Sequence, residues 1–240
     1  MADAFEKVGF GPDDNIPGYM AGPKGAPGLI VIQEWWGVTD EIRMHAARFA
    51  AANFRVLIPD VYKGKIGADK EEAHHLMSSL DFPAAVKEMA EAAKYLKSDG
   101  CSKVGVVGFC MGGALSLGAA AASDDIAAAA PFYGVNFGLF AAEMLKKPVQ
   151  GHFGQEDKME GFSDPATGRK LEADLRAAGN ADAECFVYEK VGHGFLNSSP
   201  APFASFEERT KQMGFPAYDK EQAELAWTRV IGFFDKHLRA

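Results

Sequence analysis

Short apolar runs alternate along the chain with longer segments whose apolar residues recur at helical spacing. The runs predict strands at 29–33, 55–58, 104–107, 127–133, 149–153 and 183–188. The longer segments predict helices at 39–53, 68–80, 82–98, 114–122, 164–178 and 222–238. Strands separated by helices are typical of βαβ crossovers, so the pattern predicts an α/β fold with a mostly parallel sheet covered on both faces. No linker or repeat divides the sequence, and we expect one domain spanning residues 1–240.

A glycine-rich turn connects the predicted strand at 104–107 to the helix that follows it. Its sequence, Gly108-Phe-Cys-Met-Gly112, is the G-x-S-x-G nucleophile elbow with cysteine in place of serine. A β-carbon at either glycine would crowd this strained turn, and a helix N-terminus favours a thiolate. The sequence therefore predicts Cys110 as a nucleophile. The alternative is a tightly packed turn without chemistry, since the glycine spacing of the nucleotide-binding loops is missing.

A cysteine nucleophile needs a base, and the base benefits from a carboxylate that orients it. In α/β hydrolases these follow the nucleophile in the order acid, then histidine. Asp157 comes just after the strand at 149–153, and His193 lies between two glycines after the strand at 183–188. Both positions lie beyond the carboxyl ends of strands, where open α/β sheets hold their sites. Alternatively, Asp157 caps a helix or is a solvated carboxylate, and the neighbouring Glu156 is the acid instead. His193 could equally be a structural histidine in a loop.

Two backbone amides are candidates for an oxyanion hole. One belongs to Met111, the residue after the nucleophile, and the other to Trp35 in the loop after the first predicted strand. The side chains of Trp35 and Trp36 are expected to divide between pocket wall and core.

Composition narrows the classes of function. Hydrophobic residues make up 48% of the 240 residues and charged residues 24%, as in an ordinary globular protein. The net charge of −8 and the lack of a Lys/Arg cluster argue against a nucleic-acid partner. No apolar run approaches the roughly 20 residues that span a bilayer, and no secretory signal opens the sequence, so we expect a cytoplasmic protein without a membrane partner. The three cysteines suggest no disulfide framework, and Cys101 and Cys185 are expected to be inert.

Six motifs occur in order along residues 28–238. They are Gln33-Glu34-x-x-Gly37, Pro59-Asp60-Val61-Tyr62, Gly108-Phe-Cys110-Met-Gly-Gly113, Pro131-Phe-Tyr133-Gly134, Gly154-x-x-Asp157 and Gly192-His193-Gly-Phe195. Together they resemble the dienelactone hydrolase family, the carboxymethylenebutenolidases. The resemblance implies a single-domain α/β hydrolase that uses no cofactor or metal and acts on a small-molecule lactone or ester. It also implies that Cys110, His193 and Asp157 form a catalytic triad.

The resemblance assigns further residues. By this resemblance, Glu34 corresponds to the family's carboxylate, which contacts the thiol and takes part in its activation. Without the resemblance, Glu34 could also be a carboxylate at the end of a strand that points into water. The candidate substrate-binding residues are Trp36, Lys70, Tyr133, Phe195 and Asn197.

The sequence departs from the family pattern at the substrate's carboxylate. Family members that act on a carboxylated lactone hold it with arginines, whereas this chain has Asn197 after the histidine and only Lys70 in the second region. The sequence therefore supports a neutral lactone or ester at least as well as a lactone that carries a carboxylate.

The residues from 198 to 221 form a longer connection than the family uses. This segment is expected to be a lid, a dimer contact or a solvated surface helix, and the chain a monomer or homodimer. The competing functions are a broad carboxylesterase or thioesterase on the same triad, and a catalytically silent ligand receptor with this fold.

Overall fold

The computed structural model describes residues 5–239. The strands are β1 (Glu6–Phe10), β2 (Ile16–Ala21), β3 (Gly28–Ile32), β4 (Arg55–Pro59), β5 (Val104–Phe109), β6 (Ile126–Phe132), β7 (Val149–Gly154) and β8 (Ala183–Tyr188). The α-helices are α1 (Asp40–Ala51), α2 (Lys70–Ser78), α3 (Phe82–Ser98), α4 (Met111–Ala122), α5 (Pro165–Ala177), α6 (Phe206–Met213) and α7 (Lys220–Leu238). Every strand and helix predicted from the periodicity is present, with ends that differ by a few residues.

The strands form one sheet in the order β1-β2-β4-β3-β5-β6-β7-β8. From β4 to β8 all neighbours are parallel, which confirms the predicted α/β fold. The antiparallel pair β1 and β2, which pairs through β2 with β4, was not predicted. Gly9, Gly11, Pro17 and Gly18 interrupt the alternation of apolar and polar residues there, so this hairpin has no clear strand signal.

Apolar side chains cover both faces of the sheet. Helices α3, α4 and α5 pack on one face through residues such as Met89, Leu115 and Leu171, and α1 and α7 pack on the other through residues such as Phe49 and Trp227. Every residue of β3 and β5 is buried. Full burial of such an apolar side chain contributes about 1.5–3 kcal/mol, so the carboxyl ends of these strands form a firm base for the loops above them. In residues 5–239 no helix is both long and apolar enough to cross a membrane.

Candidate active site

The nucleophile elbow connects β5 to α4. This helix begins at Met111, three residues earlier than the sequence predicted. Cys110 adopts φ 55° and ψ −118°, a backbone conformation that strains any residue with a β-carbon. The turn is tight because a β-carbon on Gly108 would lie 1.9 Å from the carbonyl oxygen of Gly112. The amide of Cys110 donates to the carbonyl oxygen of Phe132 at 3.0 Å, which ties the turn to β6. The elbow thus holds the sulfur above the carboxyl edge of the sheet.

His193 and Asp157 meet beside the elbow. Nδ1 of His193 lies 2.9 Å from Oδ2 of Asp157, and both side chains are buried. The other carboxylate oxygen of Asp157 accepts from the amide of Met159 at 3.1 Å, which fixes the carboxylate. The hydroxyl of Ser163, also buried, lies 3.0 Å from the same ring nitrogen. Ser163 belongs to none of the motifs, so no sequence pattern points to it.

The electrostatics of His193 depend on the cysteine. Burial opposes a charged imidazolium. The negative charge and hydrogen bonding of Cys110 and the hydrogen bond that His193 donates to Asp157 outweigh burial and raise the pKa of His193 to about 10. A protonated imidazole is therefore favoured at neutral pH.

The candidate oxyanion donors occupy suitable places. Met111 is the first residue of α4, where amides have no partner within the helix. Trp35 lies in the loop after β3, and its side chain lines the same cavity as Cys110. Trp36 lines this cavity too, so the two tryptophans do not divide between wall and core.

Glu34 is buried at the end of β3, with 4% of its surface exposed. This excludes the alternative of a carboxylate in water. Nδ2 of Asn197 lies 3.1 Å from each of its two oxygens, and the hydroxyl of Tyr133 donates to Oε1 at 3.4 Å. Burial raises the pKa of Glu34, against the opposing effects of the Asn197 hydrogen bonds and the positive charges of His193 and Arg209.

A small cavity lies over Cys110, with a volume of about 20 Å³. Glu34, Trp35, Trp36, His193, Gly194, Asn197, Ala201, Phe203, Arg209 and Phe215 line it together with the cysteine. Such a volume holds about one water molecule, so a ring-sized ligand enters only when part of the lining moves.

The segment from 198 to 221 supplies much of that lining. Its helix α6 lies at the surface, where every residue except Arg209 is exposed or half-buried, while Arg209 faces the cavity. The ring of Phe215 lies 5.0 Å from that of His193, and the ring of Phe203 lies 6.0 Å from that of Trp36. Arg209 on α6 is buried, and its Nη2 donates to the carbonyl oxygens of His193 and Gly194 at 3.2 and 3.1 Å.

Arg209 lies in none of the six motifs, so the sequence does not point to it. Among the described residues that line the cavity, it is the one with a permanently charged cation. Its charge faces Glu34 and Tyr133.

The remaining predicted residues lie at different depths. Tyr133 and Phe195 are buried behind the cavity, with the Tyr133 ring 5.2 Å from His193 and 5.5 Å from Phe195. Lys70 begins α2, is exposed, and donates to the carbonyl oxygen of Gln212 at 3.3 Å. It does not line the cavity at Cys110.

The other two cysteines have a different environment from Cys110. Burial raises the pKa of Cys101 to about 11 and that of Cys185 to about 12, so both remain thiols at neutral pH. No group of three or more His, Cys, Asp or Glu side chains within residues 5–239 is arranged to hold a metal ion.

Comparison with known proteins identifies the family. The family model described as "Dienelactone hydrolase family" matches residues 16–238. The chain belongs to the dienelactone hydrolase family. This confirms the resemblance drawn from the six motifs, and it makes the protein a carboxylic ester hydrolase.

Two relatives illustrate the match. Protein usf of Aquifex pyrophilus is 32% identical over 247 residues, covering 98% of this chain and 97% of the relative. The carboxymethylenebutenolidase of Pseudomonas putida is 28% identical over 193 residues, covering 75% of this chain and 79% of the relative.

The solved structure of a dienelactone hydrolase from Anabaena variabilis has the same fold as this chain. Its TM-score is 0.67 at 15% identity, and the match covers 98% of this chain and 99% of that one.

Proposed function

We propose that this dienelactone hydrolase family member opens a lactone or cleaves an ester through a Cys110-His193-Asp157 triad and a thioester intermediate. The observation that supports this most strongly is the meeting of three chain segments at one cavity. The strained elbow presents Cys110 there, and His193, held by Asp157, lies against its sulfur. A tight turn for the nucleophile, a base within reach and a buried orienting carboxylate are the parts that covalent acyl transfer needs.

Acylation begins with attack of the Cys110 thiolate on the substrate carbonyl carbon. The amides of Met111 and Trp35 stabilise the oxyanion, and each such donor contributes about 3–4 kcal/mol in the transition state. Collapse of the tetrahedral intermediate forms the thioester and breaks the carbonyl–oxygen bond. The leaving oxygen takes its proton from the His193 imidazolium.

Deacylation uses the same residues with the histidine in its other state. The sulfur carries no charge in the thioester, so the contribution of the Cys110 thiolate to the raised pKa of His193 disappears. The neutral imidazole can then take a proton from water, whose oxygen attacks the thioester. Collapse of this second tetrahedral intermediate breaks the carbon–sulfur bond and releases the acid. His193 keeps the proton taken from water, which restores the thiolate–imidazolium pair. Because a thiolate leaves readily, the route favours substrates with good leaving groups, such as enol lactones and activated esters.

Glu34 is proposed to take part in activating the thiol, as the resemblance to the family implies. It lines the cavity at Cys110, and its burial raises its pKa, so it is a stronger proton acceptor than a carboxylate in water.

The residues at the cavity bear on the charge of the substrate. Asn197, at the position where the family has an arginine, bonds to Glu34. Arg209 supplies a guanidinium to the same cavity from α6. We therefore propose that a lactone with a carboxylate is a substrate, with Arg209 as its counter-charge.

Parallel assays of cis-dienelactone and p-nitrophenyl acetate test this function. We expect wild type to hydrolyse both, and Arg209→Met to lower kcat/KM for the lactone by about 10- to 100-fold more than for the neutral ester, as for a lost charge-assisted pair. Arg209→Lys keeps the positive charge but not the two-pronged guanidinium. Its kcat/KM for the lactone should lie between the values of wild type and Arg209→Met.

Equal losses on both substrates would mean that Arg209 only holds the His193 loop. Turnover of the ester without any turnover of the lactone would favour the broad carboxylesterase instead.

A further inference from the structure

A chain of three hydrogen-bonded side chains runs from the cavity into the core. Glu34 is bonded by Asn197, and Oδ1 of Asn197 lies 3.2 Å from Nε2 of His45 on α1. His45 is 4% exposed and packs between the rings of Phe109 at 4.7 Å and Trp227 at 5.4 Å. Nothing in the acyl-transfer steps uses His45, yet it is a buried titratable group bonded to Asn197, which lines the cavity.

The chemistry of the groups fixes the direction of these bonds. An ionised carboxylate only accepts hydrogen bonds, so the amide nitrogen of Asn197 must face Glu34 and its oxygen must face His45. Burial lowers the pKa of His45 to about 4, so the ring is neutral at neutral pH. Its Nε2 must then bear the proton and donate to Asn197. A flipped amide would set its oxygen against the carboxylate and its nitrogen against a second donor.

The orientation of Asn197 matters because Glu34 has few other donors. The Tyr133 hydroxyl is more distant, at 3.4 Å. The charges that face Glu34 are His193, Arg209 and, as a like charge, Glu41 on α1. Glu41 is itself bonded by the amide and hydroxyl of Ser198. Asn197 therefore supplies the two shortest hydrogen bonds that support an ionised Glu34.

We propose that His45 is a positioning residue that acts through Asn197: its Nε2–H locks the amide so that Asn197 holds Glu34 as an ionised proton acceptor at the Cys110 cavity. The inference rests on the proposed role of Glu34 in activating the thiol. It gives a function to a core histidine that touches neither the substrate nor the nucleophile.

The test compares His45→Phe with His45→Gln in the pH dependence of kcat/KM for p-nitrophenyl acetate. Phenylalanine keeps the ring packing but removes the donor, whereas glutamine keeps a donor at similar reach. Loss of the lock weakens the bonds that favour ionised Glu34, so its pKa rises and the acid limb moves to higher pH. We expect a shift of about one pH unit and a loss of about 5- to 100-fold on the acid side. The loss should shrink at high pH, and His45→Gln should restore most of it.

Three companion variants make the result specific. Asn197→Leu should shift the profile at least as far, and adding His45→Phe to it should cause no further shift, because His45 acts through Asn197. His75→Phe, on the exposed side of α2, is the matched control and should leave the profile unchanged. Thermal unfolding of each variant checks that it is folded.

The outcomes separate this inference from the proposed function. If Cys110→Ala is inactive and Glu34→Gln is impaired, but His45→Phe keeps the wild-type profile, the inference alone is overturned. A uniform loss at every pH, not rescued by glutamine, would also overturn it, since that is the effect of disturbed packing. An active Cys110→Ala variant would overturn both. Nitrogen-15 spectra of histidine-labelled protein give an independent result: we expect neutral Nε2–H for His45, and an Nδ1–H tautomer would contradict the lock.

Discussion

Cys110→Ala should lower kcat for p-nitrophenyl acetate and for lactone by about 10⁴-fold or more, the effect of removing the nucleophile from a catalytic triad. The variant keeps the elbow backbone and the His193–Asp157 pair, so its remaining activity measures what the oxyanion donors and the base achieve alone. It should fold normally, because alanine at this position removes a single, nearly buried sulfur. Steady-state assays with both substrates give the measurement.

Cys185→Ala is the matched control for this prediction. Its thiol has a raised pKa and lies on β8, away from the cavity lining, so kcat/KM should stay within about twofold of wild type. If Cys110→Ala retained substantial turnover while the wild type was active on the same substrate, the assignment of the nucleophile would be wrong.

Gly108→Ala should destabilise the protein by about 3–5 kcal/mol, at the upper end of single substitutions. The added β-carbon would lie 1.9 Å from the Gly112 carbonyl oxygen and 2.2 Å from its carbonyl carbon. These are backbone atoms of the first turn of α4, which cannot move aside without displacing Cys110. Urea unfolding measures the free energy, and a drop in Tm of roughly 6–20 °C is expected for a chain of this size.

Gly232→Ala serves as its control. This glycine is exposed within α7, and a β-carbon there would have no heavy atom within 4 Å. Alanine in a helix interior should therefore increase the free energy of unfolding by about 0.5–1 kcal/mol. Equal stability of the two variants would show that the elbow is not as tightly packed as the structure has it.

The sequence was sufficient for the parallel sheet and for the positions of Cys110, Asp157 and His193. Their signals are local: a buried run, a turn with glycines, and a polar residue at the end of a strand. Gly108 and Cys110 lie within one such turn, so spacing alone identifies the elbow.

Other site residues have no local signal. Arg209 enters the cavity from α6 only because the segment after residue 198 folds back over the site. His45 and Asn197 are 152 residues apart in sequence, and only their tertiary contact gives either one a role at Glu34. Long-range packing of this kind is not encoded in the period of any single segment. For the same reason, Asn197 and Lys70 considered alone leave a neutral substrate at least as well supported as a charged one.

Rapid acid quenching during the first turnover of p-nitrophenyl acetate shows whether the reaction passes through a thioester on Cys110. After proteolysis and mass spectrometry, we expect the added mass of one acetyl group on the peptide that contains Cys110, formed during the burst and lost on further incubation. An acetyl group on another residue, or a burst with Cys110 unmodified, would contradict the thioester route.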